Sequence, residues 1–344
     1  MSTRARVVIA RGDFGVAAIQ EVQLPDPGPH QVLLLIYAAG VGHSQLHVLL
    51  GAHDEPVLLG AEAFARVMAV GSAVDRVKPG DMVVVSPAAR PGASGDPETI
   101  TVELEDGSHT APSACFTWAT NAVVDERFVY PGPPAKDREA CAILGETALA
   151  GAGAVLSAGV SAGHSVAVLG ASGAGLAAIA AAKAGGASVI VAIDRNEARL
   201  ALATQAGATF VSSAGPAQLA AVISEPCPEG VRFLFDCAYD YRAKIRPGAT
   251  LLATEGKAFL VATPGNETER SALASTVLQR GYAPSFSLDP DRVLAALASW
   301  VESGAFAPSP AVVRYTIEAV NEATRDLENG DAPGQPVLVM EPLE

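Results

Sequence analysis

One stretch constrains this chain more than any other: VAVLGASGAGLAAIAAAKAGGASVIVAIDRNEARL, which starts at Val166. Val166–Leu169 is an unbroken aliphatic run, the pattern of a strand buried on both faces. It enters Gly170-Ala171-Ser172-Gly173-Ala174-Gly175, an Ala-rich helix follows over Gly175–Ala184, and a second strand, Ser188–Ile193, ends at Asp194. In such a strand–turn–helix, Gly170 permits the tight turn and a small residue at Ser172 lets the backbone approach a pyrophosphate. Gly175 lets the helix pack close to the strand. The free N–H groups and positive dipole end of the helix then face the phosphates. Asp194 lies 19 residues past Gly175, where a carboxylate accepts hydrogen bonds from ribose hydroxyls and repels a 2′-phosphate. That favours NAD(H) over NADP(H). Arg195 keeps the second cofactor open, since a neighbouring guanidinium pairs with a 2′-phosphate.

Strands and helices alternate beyond this point. Glu197–Gln205 reads as a helix, and Thr209–Val211, Phe233–Phe235 and Ala258–Val261 read as further strands. Alternation of this kind implies a doubly wound parallel sheet with right-handed crossovers. The first third is different. Val32–Tyr37, Arg66–Val70 and Met82–Ser86 are short apolar runs, with Val77-Lys78-Pro79-Gly80-Asp81 as a turn, and they suggest a β-rich, partly barrel-like domain. Pro87–Ser113 is rich in Pro, Gly and Ser and reads as a mobile surface loop or as a hairpin through Thr99–Leu104. Ile317–Leu327 and Val337–Met340 close the chain as a helix and a strand. The expected division places 151–287 in the dinucleotide-binding domain and 1–150 with 288–344 in the β-rich one.

Charge narrows the partners. The formal net charge of −14 repels phosphate backbones and anionic lipid heads, which argues against nucleic acid and membrane partners. A cofactor phosphate still binds, because local amides outweigh a distant net charge. Cys115, Cys141, Cys227 and Cys237 form no CxxC pair. The N-terminus carries no long apolar segment of a secretion signal, so a cytoplasmic location is expected.

With these features placed, nearly the whole chain resembles the medium-chain dehydrogenase/reductase superfamily, in its zinc alcohol dehydrogenase branch. Ala39–Gly51 (AGVGHSQLHVLLG), Leu58–Val70 (LLGAEAFARVMAV) and Gly71–Val85 (GSAVDRVKPGDMVVV) look like successive segments of that branch, and Ala319–Val339 resembles its usual ending. The resemblance implies a GroES-like substrate domain beside a Rossmann domain, a small-molecule substrate, and a homodimer. The catalytic metal of the zinc enzymes sits on a Cys, a His and a second Cys or Asp. The matching positions here are Gly42, Ala61 and, more loosely, Glu146. Glycine and alanine offer no lone pair, whereas a catalytic zinc takes about three protein ligands. The four close cysteines of the structural zinc are also missing from Pro87–Ser113. No zinc is therefore expected; a rearranged site from His43, His47, Glu62 and Glu146 is the competing reading.

Other positions keep the family pattern. Ser44 and His47 match a proton relay, needed because hydride transfer to carbon is matched by a proton on oxygen; the alternative is that both are inherited polar residues. His43 matches a pyrophosphate contact and Arg199 a basic residue near the adenosine ribose, while Gln335 stands where the family often has a phosphate-binding Arg. Glu62 matches a carboxylate that lies behind the metal. Without the ion, Glu62 and Glu146 could share a pocket, and one of them, held protonated, would polarise a carbonyl in place of the Lewis acid; alternatively one pairs with a cation such as Arg66. The substrate is expected against Ser44, His47, Glu62, Phe64, Trp118 and Glu146, in the cleft that such folds place beyond the strand ends. The implied function is zinc-independent hydride transfer between a nicotinamide and an alcohol or carbonyl, in a specialised biosynthetic role. Its rivals are a redox-neutral cyclase, isomerase or eliminase reusing the emptied pocket, a non-catalytic dinucleotide-binding protein, and, ranked lower, an enoyl or quinone reductase.

Overall fold

A computed structural model describes residues 3–12, 15–92, 95–238, 251–261, 282–283, 289–308 and 311–341. They form two compact units: 1–146 with 290–302 and 312–344, and 147–289 with 303–311.

The first unit starts with strands β1 (Thr3–Ala10) and β2 (Ala17–Leu24), which pair antiparallel. β3 (Gln31–Gly40) is its longest strand and runs into helix α1 (His43–Leu50). β4 (Val57–Leu58) joins the edge of β1. β5 (Ala63–Val70), β6 (Met82–Val85), β7 (Asn121–Asp125) and β8 (Val129–Pro131) follow. β3 pairs antiparallel with both β5 and β7, so its residues Val32, Leu34 and Ile36 are sealed from water. The apolar runs read from the sequence are the cores of β3, β5 and β6. The outer strands β1 and β2 and the helix α1 were not read there; α1 has two turns and little apolar periodicity, and only tertiary packing marks it.

Of the two readings of 87–113, the hairpin agrees with the structure and the loop without anchoring contacts does not. Ile100, Val102 and Leu104 are buried in the core of the first unit, each worth about 1.5–3 kcal/mol on full burial. Ile100 bridges Ser113 and Glu103 bridges His109 across a tight return. Asp125, itself buried, accepts the Glu98 N–H at 2.7 Å and the Arg127 side chain at 3.0 Å, while Arg127 donates to the Gly95 and Asp96 carbonyls. The Pro/Gly/Ser composition that suggested mobility supplies the turns, and three alternating apolar residues anchor the segment.

The second unit is the doubly wound sheet. Helix α2 (Thr147–Ala158) precedes β9 (Ser165–Leu169), α3 (Gly173–Ala184), β10 (Val189–Ile193), α4 (Glu197–Ala206), β11 (Phe210–Ser212), α5 (Leu219–Ser224), β12 (Val231–Asp236), β13 (Leu252–Leu260) and β14 (Tyr282–Ala283). All neighbours are parallel and the order is β11-β10-β9-β12-β13-β14. The order reverses between β9 and β12, the place where such sheets bind ligands.

The chain then returns to the first unit with most of α6 (Pro290–Ser303), followed by β15 (Val312–Thr316), α7 (Val320–Asn329) and β16 (Gln335–Val339). β16 runs antiparallel to β3, with Val337 opposite Gly40, and carries β15 on its far side. The C-terminal strand thus ends up beside the residues that lead into α1.

Candidate active site

Two constellations carry chemistry, one in each unit. In the second unit the turn after β9 is built on close approach. Gly170 has φ +83° and passes against the residues after β12, and a Cβ on Gly175 would stand 1.9 Å from the Gly170 carbonyl oxygen. Only glycine lets α3 sit this near the strand. Ser172 caps α3 in an extended conformation and spends no side-chain hydrogen bond on the helix, which leaves first-turn N–H groups of Gly173 and Ala174 for an anion.

Asp194 follows β10 directly. Its carboxylate accepts the Ala171 N–H at 2.8 Å and the Asn196 N–H at 2.8 Å, and Arg199 Nη1 lies 3.8 Å away. The acid is therefore locked to the glycine turn rather than hanging free. A carboxylate has about four lone-pair sites, so acceptor capacity remains for ribose hydroxyls. Arg199 is largely buried at 15% exposure, while Arg195 is exposed. The residues fit a dinucleotide: a cradle that a Cβ would fill, an uncapped helix start, and an anchored acid.

In the first unit, Ser44 and Glu146 meet. Ser44 Oγ donates to Glu146 Oε2 at 3.0 Å, and the Glu146 backbone N–H donates to Glu62 Oε2 at 2.7 Å. Glu62 is 1% exposed. Its carboxylate occupies space that only a glycine leaves open, since a Cβ on Gly40 would stand 2.3 Å from Glu62 Oε1. The backbone of residue 62 is held as well: its carbonyl accepts the Gly40 N–H and the Thr117 hydroxyl, both within 3.1 Å. Burial pushes the Glu146 carboxyl above its usual value, with the Ser44 hydroxyl pulling the other way. Cys115 stands close by, its thiol 3.9 Å from the Ala61 carbonyl, and burial with the nearby charges of Glu146 and Asp125 pushes it up to about 12.

A Cβ on Gly42 would lie 3.5 Å from Glu146 Oε2 and 3.6 Å from Ser44 Oγ. Two of the three positions matched to metal ligands are thus neighbours in space, and Gly42 brings no donor. Among the described residues no three His, Cys, Asp or Glu side chains gather to hold an ion, and the set at Gly42, Ala61 and Glu146 does not fit zinc. His43 opens α1 and His47 follows Ser44 by three residues on the same helix, so Ser44 and His47 share a face. Both histidines are half-buried. Arg66 is exposed on β5, whereas Glu62 is buried.

Two residues expected at the substrate lie out of reach of solvent, and a third, Gln335, makes a contact the sequence did not show. Phe64 and Trp118 were expected to line a substrate pocket, and both are 0% exposed. Trp118 packs in the core of the first unit, and its indole N–H donates to the Gly40 carbonyl at 2.9 Å. A buried indole needs such a partner, and here it also steadies the glycine beside Glu62. Gln335 is 5% exposed, and its amide donates to the Val41 carbonyl at 2.6 Å. Gly40, Cys115 and the Gln335–Val41 contact were not read from the sequence, because each joins residues far apart in the chain.

Comparison with known proteins places this arrangement. The family description "Alcohol dehydrogenase GroES-like domain" matches residues 28–134 and "Zinc-binding dehydrogenase" matches 173–300. A Schizosaccharomyces pombe protein named "Probable S-(hydroxymethyl)glutathione dehydrogenase 1" is 30% identical, with 67% of this chain and 68% of that one covered. The chain belongs to the medium-chain dehydrogenase/reductase superfamily. Another member, geraniol dehydrogenase of Castellaniella defragrans, is 27% identical with 97% of each chain covered. The crystal structure of benzyl alcohol dehydrogenase from Acinetobacter calcoaceticus superposes with a TM-score of 0.78 at 25% identity, covering 98% of this chain and all of that one. Within the superfamily this is an alcohol dehydrogenase-type chain whose metal-ligand positions hold Gly42 and Ala61.

Proposed function

We propose that this superfamily member is an NAD(P)-dependent oxidoreductase acting on an alcohol or carbonyl compound, with Ser44 and Glu146 on the substrate oxygen beside the position that the resemblance matches to a metal ligand. The observation that carries this reading is the 3.0 Å Ser44–Glu146 hydrogen bond, next to the donorless Gly42. When bound, the nicotinamide supplies or accepts the hydride. The chain's own residues do the rest. Gly170, Ser172, Gly173, Ala174 and Gly175 hold the pyrophosphate on backbone N–H groups, and Asp194 takes the adenosine ribose. Asp194 favours NAD(H), and Arg199 and Arg195 flank it. We assign 151–287 to this binding role. Glu62 fixes the Glu146 backbone through the 2.7 Å bond. Ser44 passes a proton between the substrate oxygen and a carrier, with Glu146 or His47 as that carrier. A neutral carboxyl is a hydrogen-bond donor, so a protonated Glu146 polarises a carbonyl without a metal.

The test is a titration of chelator-treated protein with NADH and NADPH by fluorescence, with metal content measured on the same sample. Nicotinamide turnover with aldehydes and ketones follows. Binding and turnover without stoichiometric zinc uphold the reading. Absence of binding to either nucleotide refutes hydride transfer, stoichiometric zinc refutes the metal-free mechanism, and binding with chemistry but no net nicotinamide change points to a redox-neutral enzyme.

A further inference from the structure

The loss of a ligand at Gly42 has a mechanical consequence. A metal bond at this position would tether the turn between β3 and α1. Here the turn ends in a glycine, the residue with the most backbone freedom, and Gly42 caps α1 without any side-chain hydrogen bond. The first turn of α1 nevertheless closes on it, because the Gln45 and Leu46 N–H groups both donate to the Gly42 carbonyl. Something must hold the residue before it. Val41 is held at both ends: its N–H donates to the Pro336 carbonyl at 2.9 Å, and its carbonyl accepts the Gln335 side-chain amide at 2.6 Å. The β3–β16 ladder stops at the Val337–Gly40 pair. Gln335 lies beyond that last pair and extends the grip by one residue through its side chain.

We propose that Gln335 is a positioning residue that takes over the tether of the turn 40–42 in this chain, fixing the start of α1 so that Ser44 meets Glu146. Its amide has a built-in reason to stay: at 5% exposure, an unbonded donor is costly. The catalytic half of this inference rests on the proposed function; the tether itself does not.

The experiment uses the full chain as Gln335→Met, which keeps the length and removes the donor, and Gln335→Glu, which offers an acceptor to a carbonyl. Hydrogen exchange read by mass spectrometry is expected to quicken about tenfold in peptides covering 42–47, the effect of about one hydrogen bond, while 170–184 is unchanged. In turnover, kcat falls with KM for the carbonyl substrate nearly constant. Unchanged exchange over 42–47 overturns the proposal. A fall in NADH affinity with unchanged exchange also overturns it and assigns Gln335 to the cofactor. Should neither variant fold, the parent protein decides: 42–47 and 335–339 opening together upholds the tether, and 42–47 exchanging while 335–339 stays protected refutes it. Faster exchange in a protein that turns over no nicotinamide upholds the tether and refutes the functional reading instead.

Discussion

Gly175→Ala opposes two effects whose sizes the structure decides. An alanine inside α3 improves helix propensity by about 1 kcal/mol. Its Cβ, however, would stand 1.9 Å from the Gly170 oxygen and 2.9 Å from the Gly170 carbonyl carbon. Unstrained contacts between such atoms begin at roughly 3.4 Å, so α3 must retreat by about 1.5 Å or the turn must deform. The obstacle is backbone on both sides, with no flexible side chain to swing away. Overpacking of this kind costs about 3 kcal/mol, the upper end of its usual range, which leaves about 2 kcal/mol of destabilisation. At about 2–4 °C per kcal/mol for a domain of this size, the melting point of the second unit should drop by about 4–8 °C. The retreat also moves the N–H groups of Gly173 and Ala174 off the phosphate. Losing one charge-assisted bond of about 1.5–3 kcal/mol weakens dinucleotide binding by tenfold or more. Calorimetry and a fluorescence titration with NADH measure the two effects on one preparation. Gly215→Ala, where nothing lies within 4 Å of the new Cβ, serves as the control and should leave both unchanged. A higher melting point together with unaltered nucleotide affinity would show that the turn does not depend on this close approach.

Three further outcomes are expected. Gly42→Cys combined with Ala61→His should restore stoichiometric zinc with Glu146 as the third ligand, read by elemental analysis after dialysis; a metal-free double variant shows that these positions do not converge. Cys115, with its thiol pushed up to about 12 by burial first and by Glu146 and Asp125 second, should react with disulfide reagents far more slowly at neutral pH than a free cysteine and gain rate with each step in pH. Labelling as fast as a small thiol would contradict it. The hydrogen bond that His30 Nδ1–H donates to Glu126 raises His30 above 6.5, so this exposed pair contributes fully below the unfolded histidine value and loses its contribution as pH rises through the folded one. Glu126→Gln should bring the His30 midpoint down in an NMR titration, and an unmoved midpoint rejects the pairing.

The glycine turn, Asp194 and the alternation of strand and helix were legible because each depends on neighbours in the chain. A run such as Val166–Leu169 is buried whatever surrounds the sheet, and Gly175 is needed wherever a helix starts this close to a strand. The 87–113 segment was only half legible for the converse reason: its turns are local, but Ile100, Val102 and Leu104 find their core only in the packed first unit. α6 was missed although Val293, Leu294 and Leu297 recur at helical spacing and are buried.

The candidate active site divides along the same line. By itself the amino-acid sequence determined which groups are chemically available: a hydroxyl at Ser44, carboxylates at Glu62 and Glu146, and no donor at Gly42 or Ala61. Only the tertiary structure decided which of them act on one another. It put Glu146 against Ser44 at 3.0 Å across 102 residues of chain and gave the Val41 carbonyl to Gln335 across 294, and it withdrew Trp118 into the core to hold Gly40. The reason is range. Donor chemistry and backbone freedom belong to a residue, whereas a hydrogen bond belongs to a distance, and distances between remote residues are set by the packing of the sheets that carry them.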